Sequence, residues 1–97
     1  MRYRRMIIPG ATYFFTVTLQ NRKNKLLVQY IDLLRSAFRN AKYHYPFTID
    51  AIVILPDHLH MIMSLPENDG NFSLRWNLIK GSFSRQLPYV PQQVFKN

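Results

Sequence analysis

The sequence predicts an α+β fold with the element order β-α-β-β-α. Three segments have the apolar patterns of strands, and two have the three- and four-residue spacing of amphipathic helices. The last two strands are separated by a turn that is too short for a crossover, so we expect them to be antiparallel. The 97 residues, 47% hydrophobic and 14% aromatic, suffice for one small domain with a modest core.

The first strand is predicted over residues 13–19, where side chains alternate between two faces. One face carries Tyr13, Phe15, Val17 and Leu19, and the other carries Thr12, Phe14, Thr16 and Thr18. β-Branched and aromatic residues dominate both faces, which is typical of a half-buried strand. Residues 21–25 form a polar and basic connection.

The first helix is predicted from Ile31 to the residue before Pro46, which ends it. Its apolar stripe consists of Ile31, Leu34, Phe38, Ala41 and Tyr45. Asp32 lies near the helix start, where a negative charge suits the helix dipole.

Two further strands are predicted over residues 47–55 and 58–65. The first of them is apolar at every position from Ala51 to Leu55, which favours a central strand buried on both faces. Pro56 and Asp57 form the turn between the two strands, since proline presets φ and aspartate can bond its own backbone.

The second helix is predicted from a stripe of Phe72, Trp76, Ile79, Phe83 and Leu87, with Ser73 as its N-cap and Pro88 at its end. This element order is most of a ferredoxin-like plait, an antiparallel sheet with helices on one face and the other face open. A complete plait has another strand here, so we expect an incomplete C-terminus. Residues 1–97 are predicted to form a single domain, with a basic arm over 1–10 and an irregular tail over 88–97.

The charge distribution indicates a polyanionic partner. Thirteen Lys and Arg against five acids give a net charge of +8, and both ends of the chain are purely cationic. The candidate phosphate-binding residues are Arg2, Arg4, Arg5, Arg22, Lys23, Lys25, Lys80 and Arg85. Nucleic-acid backbones are the commonest partner of such a surface. The alternative is a solvated basic surface with no ligand.

Targeting and redox signals are missing from the sequence. It has no cysteine and no apolar run of the ~20 residues that a membrane span needs. We therefore expect a cytoplasmic protein without membrane contact, in which any metal ligand is His, carboxylate, amide or water.

The third strand carries the candidate chemistry. Alternation puts Leu59 and Met61 on the core face and His58 and His60 together on the open face. Two neighbouring imidazoles can bind one metal ion and leave positions for substrate oxygen and water, and Asp57 can orient a ring. The alternative is a histidine pair without a ligand, because two histidines this close often occur by chance. Phe14, on the same open face, is a candidate for stacking on bases.

Residues 49–60, which include PDHLH at 56–60, resemble the HUH segment (His, bulky apolar residue, His) of the single-tyrosine transposases. The closest similarity is to the REP-associated tyrosine transposases. It extends from about residue 3 to residue 87, with supporting stretches at 10–17, 32–35 and 72–85.

The resemblance implies that His58 and His60 hold Mg²⁺ or Mn²⁺ against a scissile phosphate. Family members cleave and rejoin single-stranded DNA through a 5′-phosphotyrosine intermediate during transposition, and they recognise nearby hairpins. Their nucleophilic tyrosine and third metal ligand lie on a further helix. The sequence ends at Asn97 without that helix, and Tyr89, the only tyrosine after the histidine pair, lies between Pro88 and Pro91 in a segment unsuited to a helix.

We therefore expect a transposase-family domain that binds single-stranded or hairpin DNA and a divalent metal, but cleaves DNA little or not at all. One alternative is a non-catalytic module that binds single-stranded nucleic acid by stacking and cationic contacts. Another is a homodimer formed through exposed apolar sheet surface, without a role in nucleic-acid binding.

Overall fold

The computed structural model describes residues 10–88 and 93–96. Its elements are β1 (Thr12–Thr18), α1 (Leu26–Gln29), α2 (Ile31–His44), β2 (Thr48–Ile54), β3 (His58–Ser64) and α3 (Phe72–Arg85). The predicted element order is confirmed, with α1 as one additional helical turn. The basic arm with Arg2, Arg4 and Arg5, and the tyrosine candidate Tyr89, lie outside the described residues.

The three strands form one antiparallel sheet in the order β1-β3-β2. Because β3 is antiparallel to both neighbours, β1 and β2 run parallel to each other with β3 inserted between them. This split β-α-β arrangement confirms the ferredoxin-like plait. The prediction that residues 47–55 form the central strand is wrong, since β3 has that position among the described strands.

Helices α2 and α3 pack on one face of the sheet, as predicted. The Phe15 ring of β1 lies 5.4 Å from the rings of both Phe72 and Trp76 of α3, and Trp76 meets Phe38 of α2 edge-on at 6.5 Å. These aromatic side chains are buried together with the inward residues of β3. The core therefore lies between the sheet and the two helices, and the opposite face carries Phe14 with 57% of its surface exposed.

A β-bulge in β2 determines which of the apolar residues of this strand face the core. The register with β3 shifts between Ile49 and Ala51, so that Asp50 is the extra residue. Before the bulge Ile49 packs against the core, and after it Ile52 and Ile54 do so. Ala51 and Val53 are therefore turned to the open face, where Val53 is 56% exposed.

The start of α3 is fixed by Asn71 and not by Ser73, so the predicted cap is wrong. The Asn71 side-chain oxygen accepts a hydrogen bond from the Leu74 amide at 3.1 Å. The guanidinium of Arg75, 1% exposed, donates to the Asn71 carbonyl, to two oxygens of Asp69 and twice to the Pro46 carbonyl. This buried cation links the start of α3 to the segment before β2. Because it also binds the Asn71 carbonyl, it favours Asn71 as the residue that caps the helix.

The described part of the tail, residues 93–96, makes backbone contacts with the end of β1. Phe95 forms an isolated antiparallel bridge with Leu19, and the Lys96 amide donates to the Thr18 carbonyl. The domain limits and the irregular nature of residues 88–97 stay predictions. Among the described residues no helix is long and apolar enough to cross a bilayer.

Candidate metal and nucleic-acid site

His58 and His60 lie side by side on the open face of the sheet, at the end of β3 that follows the turn. Their ring centroids are 5.1 Å apart and the rings are nearly perpendicular, at 81°. Thr18 and Thr16 of β1 are their cross-strand partners. The structure thus brings together the two residues that the strand alternation placed on one face.

Each imidazole uses its Nδ1 atom within the protein. Nδ1 of His58 lies 2.9 Å from Asp57 Oδ1, and since a carboxylate only accepts, this nitrogen carries the proton and donates. Nδ1 of His60 lies 3.0 Å from the Thr16 hydroxyl. Within the described part of the chain, neither Nε2 atom has a hydrogen-bond partner. In His58 the proton on Nδ1 leaves the lone pair on Nε2, which is the tautomer that a metal ligand needs.

Asp57 is held firmly in the turn beside the pair. Its carbonyl accepts from the Leu19 amide at 2.8 Å, and its carboxylate accepts from Arg22 Nε at 2.6 Å as well as from His58. The hydrogen bond from His58, and after it that from Arg22, lower the pKa of Asp57 from 3.8 to about 2. The carboxylate therefore stays ionised at neutral pH and orients the His58 ring.

This arrangement suits a divalent cation that shares its coordination sphere with a substrate. Among residues 10–88 and 93–96, no group of three His, Cys, Asp or Glu side chains could hold a metal ion together. Two imidazole nitrogens alone bind Mn²⁺ or Mg²⁺ weakly, because both ions prefer several oxygen ligands. Phosphate oxygens and water would have to complete such a site, and of the two ions Mn²⁺ accepts imidazole more readily.

An apolar groove adjoins the pair on the open face. The Phe14 ring stacks on the His60 ring, with a centroid distance of 5.8 Å and an interplanar angle of 17°. The cavity beside them has a volume of about 130 Å³, and its lining consists of Phe14, Ala51, Ile52, Val53, His60, Met61 and Ile62. Phe14 therefore lies on the open face next to the candidate metal ligands, and its role in stacking on bases stays a prediction.

The predicted phosphate-binding residues divide into two groups. Arg22, Lys23 and Lys25 lie in the loop after β1, and Arg22 contacts Asp57 directly. Lys80 and Arg85 lie on α3, which covers the opposite face of the sheet.

The two predicted phosphate-binding residues of α3 are engaged locally. Lys80 lies 5.8 Å from the centre of the Phe95 ring, and burial lowers the pKa of its ammonium group. The Arg85 guanidinium folds back over Gly81, where an added Cβ would lie 2.8 Å from Nη1. The structure does not bring these two residues to the histidine pair.

Sequence reasoning missed three hydroxyl groups and one carboxylate on the open face. Thr16 supports His60, and a chain of hydrogen bonds joins Thr12, Ser64 and Asp50 at the other end of the strands. Alternation alone indicated that Thr12, Thr16 and Ser64 face outward. Their partners depend on the register between β1, β2 and β3, which the sequence does not specify.

Comparison with known proteins places the chain in a family, although no protein-family model matches it. A Haemophilus influenzae protein named for the REP-associated tyrosine transposases is 48% identical over 95 residues, which are 98% of this chain and 54% of that protein. The REP-associated tyrosine transposase of Escherichia coli K12 is 49% identical over 82 residues, covering 84% of this chain and 50% of its own length.

Solved structures agree with these similarities. A REP-associated tyrosine transposase bound to a REP hairpin superposes with a TM-score of 0.90 at 42% identity, over 99% of this chain and 57% of that one. A Deinococcus radiodurans structure classed with the transposases has a TM-score of 0.60 at 17% identity, over 89% of this chain and 65% of its own, and shares the fold. This chain spans about half the length of the curated relatives that it matches. Over almost its whole length, the chain is a homologue of the REP-associated tyrosine transposases.

Proposed function

We propose that this chain is a DNA-binding domain of the transposase type, whose open sheet face binds single-stranded or hairpin DNA. In this proposal His58 and His60 hold a divalent metal, Mn²⁺ or Mg²⁺, beside one backbone phosphate. The observation that carries it is the hydrogen bonding of the two rings, in which each Nδ1 contacts a group of the protein and each Nε2 has no partner among the described residues.

Three side chains prepare the pair for this role. Asp57 fixes the proton on Nδ1 of His58, and the Thr16 hydroxyl supports the corresponding nitrogen of His60. Arg22 anchors Asp57 through Nε, so its outer guanidinium nitrogens remain available to a phosphate oxygen next to the pair. A bound divalent metal would act as a Lewis acid that polarises the phosphodiester.

The similarity to a transposase bound to a REP hairpin supports DNA as the partner. The net charge of +8 and the basic loop over residues 21–25 support a phosphate backbone in particular. Strand cleavage through a 5′-phosphotyrosine further requires a tyrosine hydroxyl in line with the bound phosphate. Two expectations stay predictions. The chain is expected to cleave DNA little or not at all, and it is expected to be able to form a homodimer.

The test is the gain in DNA affinity that Mn²⁺ produces. Fluorescence anisotropy with a labelled hairpin that has single-stranded flanks should show tighter binding in Mn²⁺ than in EDTA, and binding should weaken as salt rises. In the double variant His58→Ala/His60→Ala the gain should disappear. His44→Ala is the matched control, because His44 is exposed at the end of α2 and should keep the full gain. A double variant that still responds to Mn²⁺ would contradict the proposal.

A second candidate function is metal-independent binding of single strands, favoured by the exposed Phe14 ring and the apolar groove beside it. The same assay separates the two functions. If the groove alone carries binding, His58→Ala, which leaves the groove lining intact, should bind the hairpin in Mn²⁺ as tightly as the unmodified chain, whereas Phe14→Ala should bind more weakly.

A further inference from the structure

A polar cluster lies on the open face at the end remote from the histidine pair. Ser64 Oγ donates to Asp50 Oδ2 at 2.5 Å, and the Thr12 hydroxyl donates in turn to Ser64 Oγ at 2.7 Å. These two bonds leave Asp50 Oδ1 without a hydrogen-bond partner among the described residues. The cluster thus presents one unused carboxylate oxygen on an exposed surface.

The β-bulge in β2 creates the space beside this carboxylate. It places Asp50 and Ala51 on the open face in succession, and Val53 follows on the same face. The small Ala51 side chain lies opposite Ile62, which leaves a groove between Phe14 and Val53. Bulges often redirect side chains next to functional sites, and this one makes Asp50 the chain neighbour of Ala51, which lines the groove.

The groove lies between the acceptor and the histidine pair along β3, because its lining includes His60 and Ile62 but not Ser64. His60 belongs both to the pair and to the groove wall, and its ring stacks on that of Phe14. Ser64 is four residues beyond His60 along β3, a separation of roughly 13 Å in an extended strand. A nucleotide whose phosphate lies at the pair can therefore place its base in the groove, with the polar edge of the base directed to Asp50.

We propose that the groove binds one unpaired nucleobase of the DNA strand, and that Asp50 accepts a hydrogen bond from an exocyclic amino group of that base. This inference rests on the proposed function, because it assumes that a strand lies across the open face. An ionised carboxylate is acceptor-only, so it favours a base that presents an amino donor and disfavours one that presents a carbonyl at the same place.

A carboxylate beside DNA otherwise opposes binding, since it repels phosphates. The distance from Asp50 to the histidine pair keeps this repulsion away from the phosphate proposed to lie there. Both Ser64 and the bulge direct the carboxylate to the open face. The arrangement is therefore suited to reading a base and unsuited to holding a phosphate.

Cytosine and thymine provide a matched pair of probes, because cytosine presents N4–H₂ where thymine presents O4. We expect the full chain in Mn²⁺ to bind the oligonucleotide dC12 roughly fivefold more tightly than dT12, the effect of one net hydrogen bond. Asp50→Asn should remove this preference, because an amide can both donate and accept. The ratio of the two affinities is the readout, since the lost negative charge changes both affinities alike.

Asp32→Asn is the control variant, because Asp32 is an exposed acid on α2 on the other side of the sheet. It should retain the preference for dC12. Equal affinities of the unmodified chain for dC12 and dT12 would overturn the base-reading proposal while leaving the proposed function intact, provided that binding still responds to Mn²⁺ and salt. A preference that survives in Asp50→Asn would overturn the role of Asp50. No binding to either strand, together with hairpin binding that responds to Mn²⁺, would overturn the base-reading proposal alone, whereas no binding to the two strands or to the hairpin would overturn both proposals.

Discussion

The two faces of β3 differ sharply in burial and in chemistry. Leu59, Met61 and Met63 are at most 1% exposed and pack beneath the helices. The residues between them (His58, His60, Ile62 and Ser64) are only partly buried and carry the candidate site. One seven-residue strand thus contributes stability through one set of alternating positions and binding groups through the other. Substitutions should therefore change either stability or binding according to the face they occupy.

The largest expected effect lies on the buried face. Met61→Ala should lower the free energy of unfolding by about 2–5 kcal/mol, because it removes packed side-chain atoms and leaves a cavity. Urea denaturation measures this loss. Ile62→Ala, one residue further on the open face, is the matched comparison and should cost about 1 kcal/mol. Equal losses of unfolding free energy in Met61→Ala and Ile62→Ala would show that both faces of β3 contribute equally to stability.

On the open face, Asp57→Asn should weaken Mn²⁺ binding roughly 10- to 100-fold, as is typical when the partner of a metal-binding histidine is altered. The physical reason is the loss of the charge that holds the proton on Nδ1 of His58. Electron paramagnetic resonance of unbound Mn²⁺ in a titration gives the affinity. Asp32→Asn should leave it unchanged, and an unaltered affinity in Asp57→Asn would remove Asp57 from the site.

A smaller effect is expected from Arg22, the cation that contacts Asp57. Arg22→Ala should reduce the slope of log affinity against log salt by about 1, because one phosphate contact is lost. Anisotropy titrations of the hairpin DNA at several salt concentrations provide the slope. Arg39→Ala, an exposed position on α2 on the helix-covered side, should not alter it. If both variants change the slope equally, DNA contacts both sides of the molecule.

The smallest effect concerns the acid stability of the helix-covered side. Hydrogen bonds from Arg75 lower the pKa of Asp69 below 3.8. A carboxyl group whose pKa is lower in the folded than in the unfolded chain stabilises the fold above its unfolded pKa, and this contribution is lost as pH falls through the folded value. Denaturation at a series of pH values should therefore show a stability decrease below about pH 4. In Asp69→Asn this decrease should be smaller, and an identical pH profile would contradict the assignment.

Alternation and helical spacing predicted the element order and the common face of His58 and His60, because both depend on local periodicity. The bulge at Asp50 was not predictable in the same way, since it is defined by pairing with β3. It reverses the phase of β2, so Ala51 and Val53 are exposed. In the described sheet the apolar run at 51–55 belongs to an edge strand. The sequence pattern alone favours a central strand.

Tertiary contacts also determine which of two chemically similar residues takes a given role, and the sequence alone does not show these contacts. Asn71 and Ser73 are both good N-cap residues, and the Arg75 guanidinium bound to the Asn71 carbonyl favours the first. The charge distribution in the sequence predicts both Arg22 and Lys80 as phosphate-binding residues and does not distinguish them. Only the packing of α3 against the opposite face separates Lys80, which lies over Phe95, from the cations near the pair.

The central claim is that His58 and His60 jointly bind one metal ion through Nε2. The sequence contains three histidines, so His44 serves as an internal reference in the unmodified chain. Substoichiometric Mn²⁺ should broaden the imidazole NMR signals of His58 and His60 together and leave those of His44 sharp. Signals of all three rings that broaden equally, or a pair that stays sharp while DNA is bound, would contradict the claim.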